Sequence, residues 1–349
     1  MKKTLFFVAI AAIAMTACTN EKNEYVGENN NSPKEIAFKS LAYSPTRGGT
    51  GSQSGTLDAA YNMYVAAYQT NPNTGDYFGE TEFVNYATNK WHGSTSRYWP
   101  LAVSTLNFLA VTSGPGGTTR AWGTGATPAN FASKVVVTMD DNSSAQHDMM
   151  WAIGQGNVTQ STSLVFPEVS MAFKHTLAMV KFTEKVTATA SGKIKLTSIT
   201  LNDAYYNGVV TIENSNYDNA KDAVVETVTP VWNVTGVTDK DIVVPGWSGG
   251  SSALANTDAF APVGDGLMII PPTSSAAFSG FTVAYQIKNP DTDTWQNYSY
   301  TYAPTTPSGR VLSQGYQYTY NITFNLNEII IAPTVDTWGT GTGGSIDIQ

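Results

Sequence analysis

With one cysteine, Cys18, in 349 residues, the chain offers no partner for an internal disulfide and no thiolate set for a metal cluster. Arginine is almost as scarce, at Arg47, Arg97, Arg120 and Arg310. Charged residues make up 13%, about half the usual share of roughly 25%. The formal charge of −8 leaves no basic footprint for phosphates, which argues against nucleic acid as a partner. Three histidines occur, His92, His147 and His175, too scattered for helical or hairpin metal ligation. The apolar run Leu5–Ala14 is too short for a membrane span of about 20 residues.

That run reads instead as an export signal. Lys2 and Lys3 give it a positive start, and it closes on "MTAC", Met15 to Cys18, before a polar stretch rich in Asn and Glu. Small residues followed by a cysteine have the form of a bacterial lipobox. Residues 1–18 are then a signal peptide ending at a lipidated (palmitate-bearing) Cys18, the chain's only contact with a membrane. Glu21 and Glu24, soon after it, resemble signals that send lipoproteins to the cell surface.

What the chain does have is 30 glycines, abundant Thr, Ser, Asn and Tyr, and 42% hydrophobic residues. This profile predicts an all-β surface protein. After a solvated tether, "EIAFKSLAYS" puts Ile36 and Phe38 on one face of a short strand by period-two alternation. "YNMYVAAYQT" does the same with Met63, Val65 and Ala67. "STLNFLAVTSG" reads as another strand after a turn at "YWP". Further β-branched runs, punctuated by Gly, Pro, Asn and Asp, recur at sandwich-like intervals to the end of the chain. "HTLAMVKF", residues 175–182, fits a helix or a strand. Apolar periodicity lapses near residues 183–193, so two sandwich-like domains are expected to meet there.

Two motifs have a catalytic look and fail their context. "GWSGG", residues 246–250, satisfies the nucleophile-elbow pattern around Ser248, but every histidine precedes that serine. "GTGTGG", residues 339–344, satisfies a dinucleotide fingerprint, yet "SIDIQ" after it cannot supply the required helix. "DTD", residues 291–293, lacks the Gly and distal Glu of a calcium loop. No constellation argues for catalysis, a metal or a cofactor. Tyr298, Tyr300 and Tyr302 share one strand face, as do Tyr316, Tyr318 and Tyr320. Such rows suit cross-strand packing or a sugar-binding platform.

The scarcity of arginine draws attention to "SPTRGGTGSQSG", residues 44–55, where Arg47 lies in a Gly- and Ser-rich stretch open to a protease. In order after it come "YWP…LNFLAV" (98–111), "HDMMWAIG" (147–154), "VSMAFKHTLAMVKF" (169–182), "NGVVTIE", "GLMIIPP", "LSQGYQYTYNITFNL" and the tail "VDTWGTGTGGSIDIQ". With the lipoprotein leader, this series is similar to the fimbrillin family, the subunits of type V pili. The resemblance implies two β-sandwich domains in tandem, transthyretin-like with Greek-key connections. Their limits would be 48–186 and 187–333, after a tether and removable first strand at 19–47. It further implies that an arginine-specific surface protease cuts between Arg47 and Gly48 and releases a first strand carrying Ile36, Phe38 and Leu41. Another subunit's tail, residues 334–349 with Val335, Trp338, Ile346 and Ile348, would fill the vacancy. Partners would be other fimbrillin subunits, including anchor and tip pilins, and a host glycan or protein receptor. The location would be the outer membrane, then the extracellular fimbria, with a shaft position favoured. The competing reading is a monomeric, surface glycan-binding lipoprotein.

Elementary energetics fit the first reading. A covalently attached strand has an effective concentration at its own groove on the order of millimolar. A donor burying similar side chains, at about 1.5–3 kcal/mol each, is near parity with it. The tethered strand therefore wins until the chain is cut.

Overall fold

The computed structural model describes residues 33–42, 62–71, 75–86, 90–113, 119–122, 132–138, 149–205, 207–213, 231–233, 239–244, 252–256, 259–264, 266–271, 278–304, 312–337 and 346–347. They are all-β, with one 3-10 turn at Ala188–Ala190. The first half carries β1 (Ala37–Ala42), β2 (Asn62–Asn71), β3 (Gly75–Tyr86), β4 (Lys90–Gly93), β5 (Ser104–Ser113), β6 (Thr119–Trp122), β7 (Ala132–Thr138), β8 (Met150–Gln160), β9 (Leu164–Val165) and β10 (Val169–His175). The second half carries β11 (Ala178–Val186), β12 (Ile194–Tyr205), β13 (Asn207–Glu213), β14 (Val231–Asn233), β15 (Asp239–Val243) and β16 (Ala261–Pro262). It continues with β17 (Leu267–Ile269), β18 (Phe281–Lys288), β19 (Trp295–Tyr302), β20 (Tyr316–Phe324), β21 (Ile329–Thr337) and β22 (Ile346–Asp347). The stretch 175–182, open between helix and strand in the sequence, leaves β10 and enters β11 without a helix.

Seven strands of the first half close on themselves in the order β10-β1-β4-β3-β2-β5-β8, and β8 pairs back onto β10. The sequence predicts two open sheets here; the strands instead form a barrel-like ring. Closure comes from β10, which pairs with β1 along one side and with Met150 and Trp151 of β8 on the other. An odd number of strands cannot close with antiparallel pairs alone, so at least one pair must be parallel. That pair is β1 with β10. The ring is filled by Phe38, Met63, Val65, Phe83, Trp91, Leu106, Phe108, Met171 and Phe173, among others. Space for this filling comes partly from glycine on β8. A Cβ at Gly156 would lie 2.3 Å from the Trp99 ring and 2.9 Å from Val169.

The second half has its own hydrophobic cluster, from Ala178 to Val335. Two sheets contribute to it, one ordered β16-β11-β20-β21-β22 with β17 also on β11, the other β15-β12-β18-β19. Phe281 of β18 lies edge-on to Phe182 of β11 at 4.8 Å and to Tyr320 of β20 at 4.9 Å. Between β10 of the first cluster and β11 of the second the chain takes only residues 176 and 177. A fourth sheet, β14-β13-β7-β6, joins strands of both halves, with β7 against β13 over seven residue pairs.

On β11 the core-facing series Ala178, Val180, Phe182, Glu184 and Val186 includes one carboxylate, only 9% exposed, opposite Ala261 and Ile322. Burial raises the pKa of Glu184 above the ordinary carboxylate range. The folded chain therefore holds a proton here that the unfolded chain releases earlier. Stability from this site is full below the ordinary Glu range and is lost as pH rises through the raised value. Glu184→Gln is expected to raise the melting temperature at pH 7–8, by a gain of about 1 kcal/mol, and to change little near pH 4. Thermal scans of both proteins across that window check this.

Candidate functional site

The feature that invites a functional reading is the seat of β1. Ile36 and Phe38 are fully buried, as their alternation predicts. Phe38 packs edge-on against Phe83 and Phe108, each at 4.9 Å. On one flank, Phe38 to Ala42 run parallel to Val169–Phe173 of β10; on the other, Ala37 to Lys39 run antiparallel to Lys90–His92 of β4. Two ion pairs bracket the strand. Lys39 Nζ meets Glu168 Oε2 at 2.6 Å beside β10. Glu35 Oε2 lies 3.4 Å from His92 Nδ1 beside β4, an ion pair when that imidazole is protonated. The Lys39 pair is half exposed, and such a contact contributes about 0–1 kcal/mol. Side-chain burial and the backbone ladder hold β1; the charges help fix its register.

A loop completes the seat. The Ile36 N–H donates to Arg97 O at 2.7 Å, and the Trp99 N–H donates to Lys34 O at 2.8 Å. The loop is itself pinned by Arg97, whose Nε–H donates to Thr81 Oγ1 at 3.0 Å while its guanidinium lies 5.3 Å from the Phe78 ring. Trp99 sits edge-on to Phe108 at 5.7 Å. Without β1, the slot would present two large apolar sockets and unpaired backbone on both banks. Those banks run in opposite directions, since β1 is parallel to β10 and antiparallel to β4. Any strand that enters is thus parallel to one neighbour and antiparallel to the other.

The other candidate residues fall elsewhere. Leu41 lies opposite Ala172 in register, in the odd series of β1 whose member Lys39 is exposed. Val335 is on β21, 5% exposed in the second core and opposite Tyr318. Ile346 lies on β22, which folds back on β21 with Ile346 opposite Val335. Cys18, Arg47, Gly48, Trp338 and Ile348 lie outside the described residues, as do Ser248 and residues 339–344. Of the tyrosine rows, Tyr318 and Tyr320 are buried, and burial drives the Tyr320 hydroxyl pKa far up. Tyr302 packs 5.0 Å from Phe281, whereas Tyr298 and Tyr300 stay exposed. Among the described residues no group of three or more His, Cys, Asp or Glu is placed to hold a metal ion.

A seat completed by the first strand of a two-core all-β chain can be compared with known proteins. A family model described as fimbrillin-like matches residues 46–338. The chain belongs to the fimbrillin-like family. This is a family of structural, fimbrial proteins rather than a class of enzymes, and it places the chain among proteins of surface fimbriae. No curated protein matches the sequence. Among solved structures, a fimbrial protein from Bacteroides vulgatus is similar over 88% of this fimbrillin-like chain and 100% of that one, with 13% identity and a TM-score of 0.55. A candidate cell adhesion protein from Bacteroides ovatus is similar over 88% and 98%, with 14% identity and a TM-score of 0.51. The fimbrial anchor protein Mfa2 from Porphyromonas gingivalis is more remote, at 9% identity over 88% and 98% with a TM-score of 0.37. The likenesses to the Bacteroides vulgatus and Bacteroides ovatus proteins concern the fold.

Proposed function

We propose that this chain is the precursor of a structural fimbrial subunit in which β1 is a removable plug. It is exported as a lipoprotein on Cys18 to the outer membrane, cut between Arg47 and Gly48 by an arginine-specific protease, and polymerised when another copy's tail takes the place of β1. A shaft position, with anchor and tip pilins as neighbours, belongs to the same reading. The observation that carries it is the seat itself: a nine-residue stretch, Lys34 to Ala42, completes a ring that is otherwise an open slot. Strand addition into such a slot restores both ladders at once. Because Val335 is part of the second core, we place the donor beyond Thr337, with β22 leaving β21 when it is used. Two domains are part of the proposal, with their seam at residues 176–177 between β10 and β11, ahead of the 186/187 boundary expected from the sequence.

The test is proteolytic. A trypsin-like protease is expected to convert the full chain into ladders that survive SDS at moderate temperature, with Gly48 as the new first residue. Arg47→Ala should leave a single monomeric band. Ladders that form equally well from that variant would dispose of Arg47 as the trigger.

A further inference from the structure

The sheet β15-β12-β18-β19 has two edges of opposite character. The β15 edge carries Asp239, Lys240 and Asp241, and its pairing with β12 slips between Leu201 and Ala204. Charge and irregularity are the usual means by which a protein keeps an edge from pairing with another chain. The β19 edge has neither. Its eight residues, Trp295 to Tyr302, pair with β18 without a register shift and include no charge and no proline. Among the described residues no strand pairs with its outer side. Tyr298 and Tyr300 stand 43% and 39% exposed there. Tyr298 is already ordered, its ring stacked on Tyr285 at 5.8 Å and its hydroxyl donating to Gln296 Oε1 at 3.0 Å.

We propose that β19 is a pairing edge for β19 of a second copy, antiparallel across a two-fold axis at Ser299. This is a contact separate from the β1 seat. The sequence of the strand is self-complementary about that point. With Ser299 facing the partner's Ser299, Tyr298 lies opposite the partner's Tyr300, and Gln296 opposite the partner's Tyr302. Residues directly opposite in a sheet share a face, so the exposed tyrosines meet as aromatic cross-strand pairs. An uncharged strand meets its copy without repulsion. A glycan platform would use the same tyrosines, yet it gives no reason for the bare edge or for the blunting confined to β15. One eight-residue pairing is a small interface, so the expected dissociation constant is on the order of 10–100 µM. In fibres, where the same edge recurs along each filament, many weak contacts add to a lateral bond.

Sedimentation velocity on the full, uncleaved chain tests this without involving polymerisation. A monomer–dimer equilibrium in that range is expected. Ser299→Lys and Ser299→Glu each place like charges opposite one another and should weaken the dimer at least about tenfold, while an equimolar mixture of the two restores it as a heterodimer. A chain that stays monomeric to about 1 mM overturns the proposal, as does a dimer indifferent to Ser299→Lys or a mixture that fails to pair. Retention of a monomeric chain on a neutral polysaccharide column would assign the tyrosines to a glycan instead.

Discussion

Phe38→Ala is expected to cost the uncleaved chain about 3–5 kcal/mol, the usual range for removing a fully buried phenylalanine. Phe38 is fully buried and packs edge-on against both Phe83 and Phe108, so its truncation opens a cavity between them. At about 2–4 °C per kcal/mol for a body of this size, the first transition in a calorimetric scan should fall by roughly 10 °C. The second core, which shares no cluster residue with it, should melt as before. The removable-plug reading adds a further outcome. If β1 competes with an incoming strand, weakening its seat should let uncut chains associate, giving SDS-resistant species without protease. Lower stability with no association at any concentration would mark β1 as an ordinary core strand.

A comparable loss is expected from Gly280→Ala, in the other core. Gly280 has φ +95°, and an added Cβ would stand 1.9 Å from the carbonyl oxygen of Tyr302 and 2.9 Å from its carbon. Neither atom is the end of a flexible side chain; both belong to the backbone of β19 where it pairs with β18. The left-handed conformation costs a non-glycine residue about 1–2 kcal/mol, and forcing the strand aside adds about 1–3 kcal/mol. The sum, about 2–5 kcal/mol, should appear as a lower midpoint for the second core alone in urea. The Gly280 carbonyl also accepts from the Asn202 N–H at 3.0 Å, so amide exchange at Asn202 gives a local readout. An unchanged midpoint would mean that β18 and β19 separate here at little cost.

How much of this was legible beforehand differs strand by strand. Ile36 and Phe38, and Met63, Val65 and Ala67, announced buried faces because their strands keep strict alternation where it matters. The partner strands of β1 were harder. β4 is four residues, Lys90 to Gly93, with a single large apolar side chain, too short for any period to show. In β3 the buried residues Phe78, Thr81 and Phe83 do not keep one parity, because the pairing with β2 slips near Ala67. A bulge moves side chains to the other face, so periodicity understates such strands. The same effect divides Ile194 and Leu196 from Ile199 and Leu201 on β12. Ring closure had no local signature at all, since it depends on β10 meeting strands more than one hundred residues apart in the chain at its two sides. Val335, read from the sequence as the start of the donor segment, alternates with Ile331 and Pro333 and so continues β21 into the second core.

The small sheet shared by β7 and β13 has a mechanical consequence. Each strand belongs to an excursion from a different half, and seven residue pairs lie side by side between them. Bending one half against the other would have to shear or peel that ladder. With only residues 176 and 177 between β10 and β11 in the main chain, this strut and that short link together favour a stiff unit. In a filament of such units, curvature would gather at the joints between neighbours, leaving each link straight.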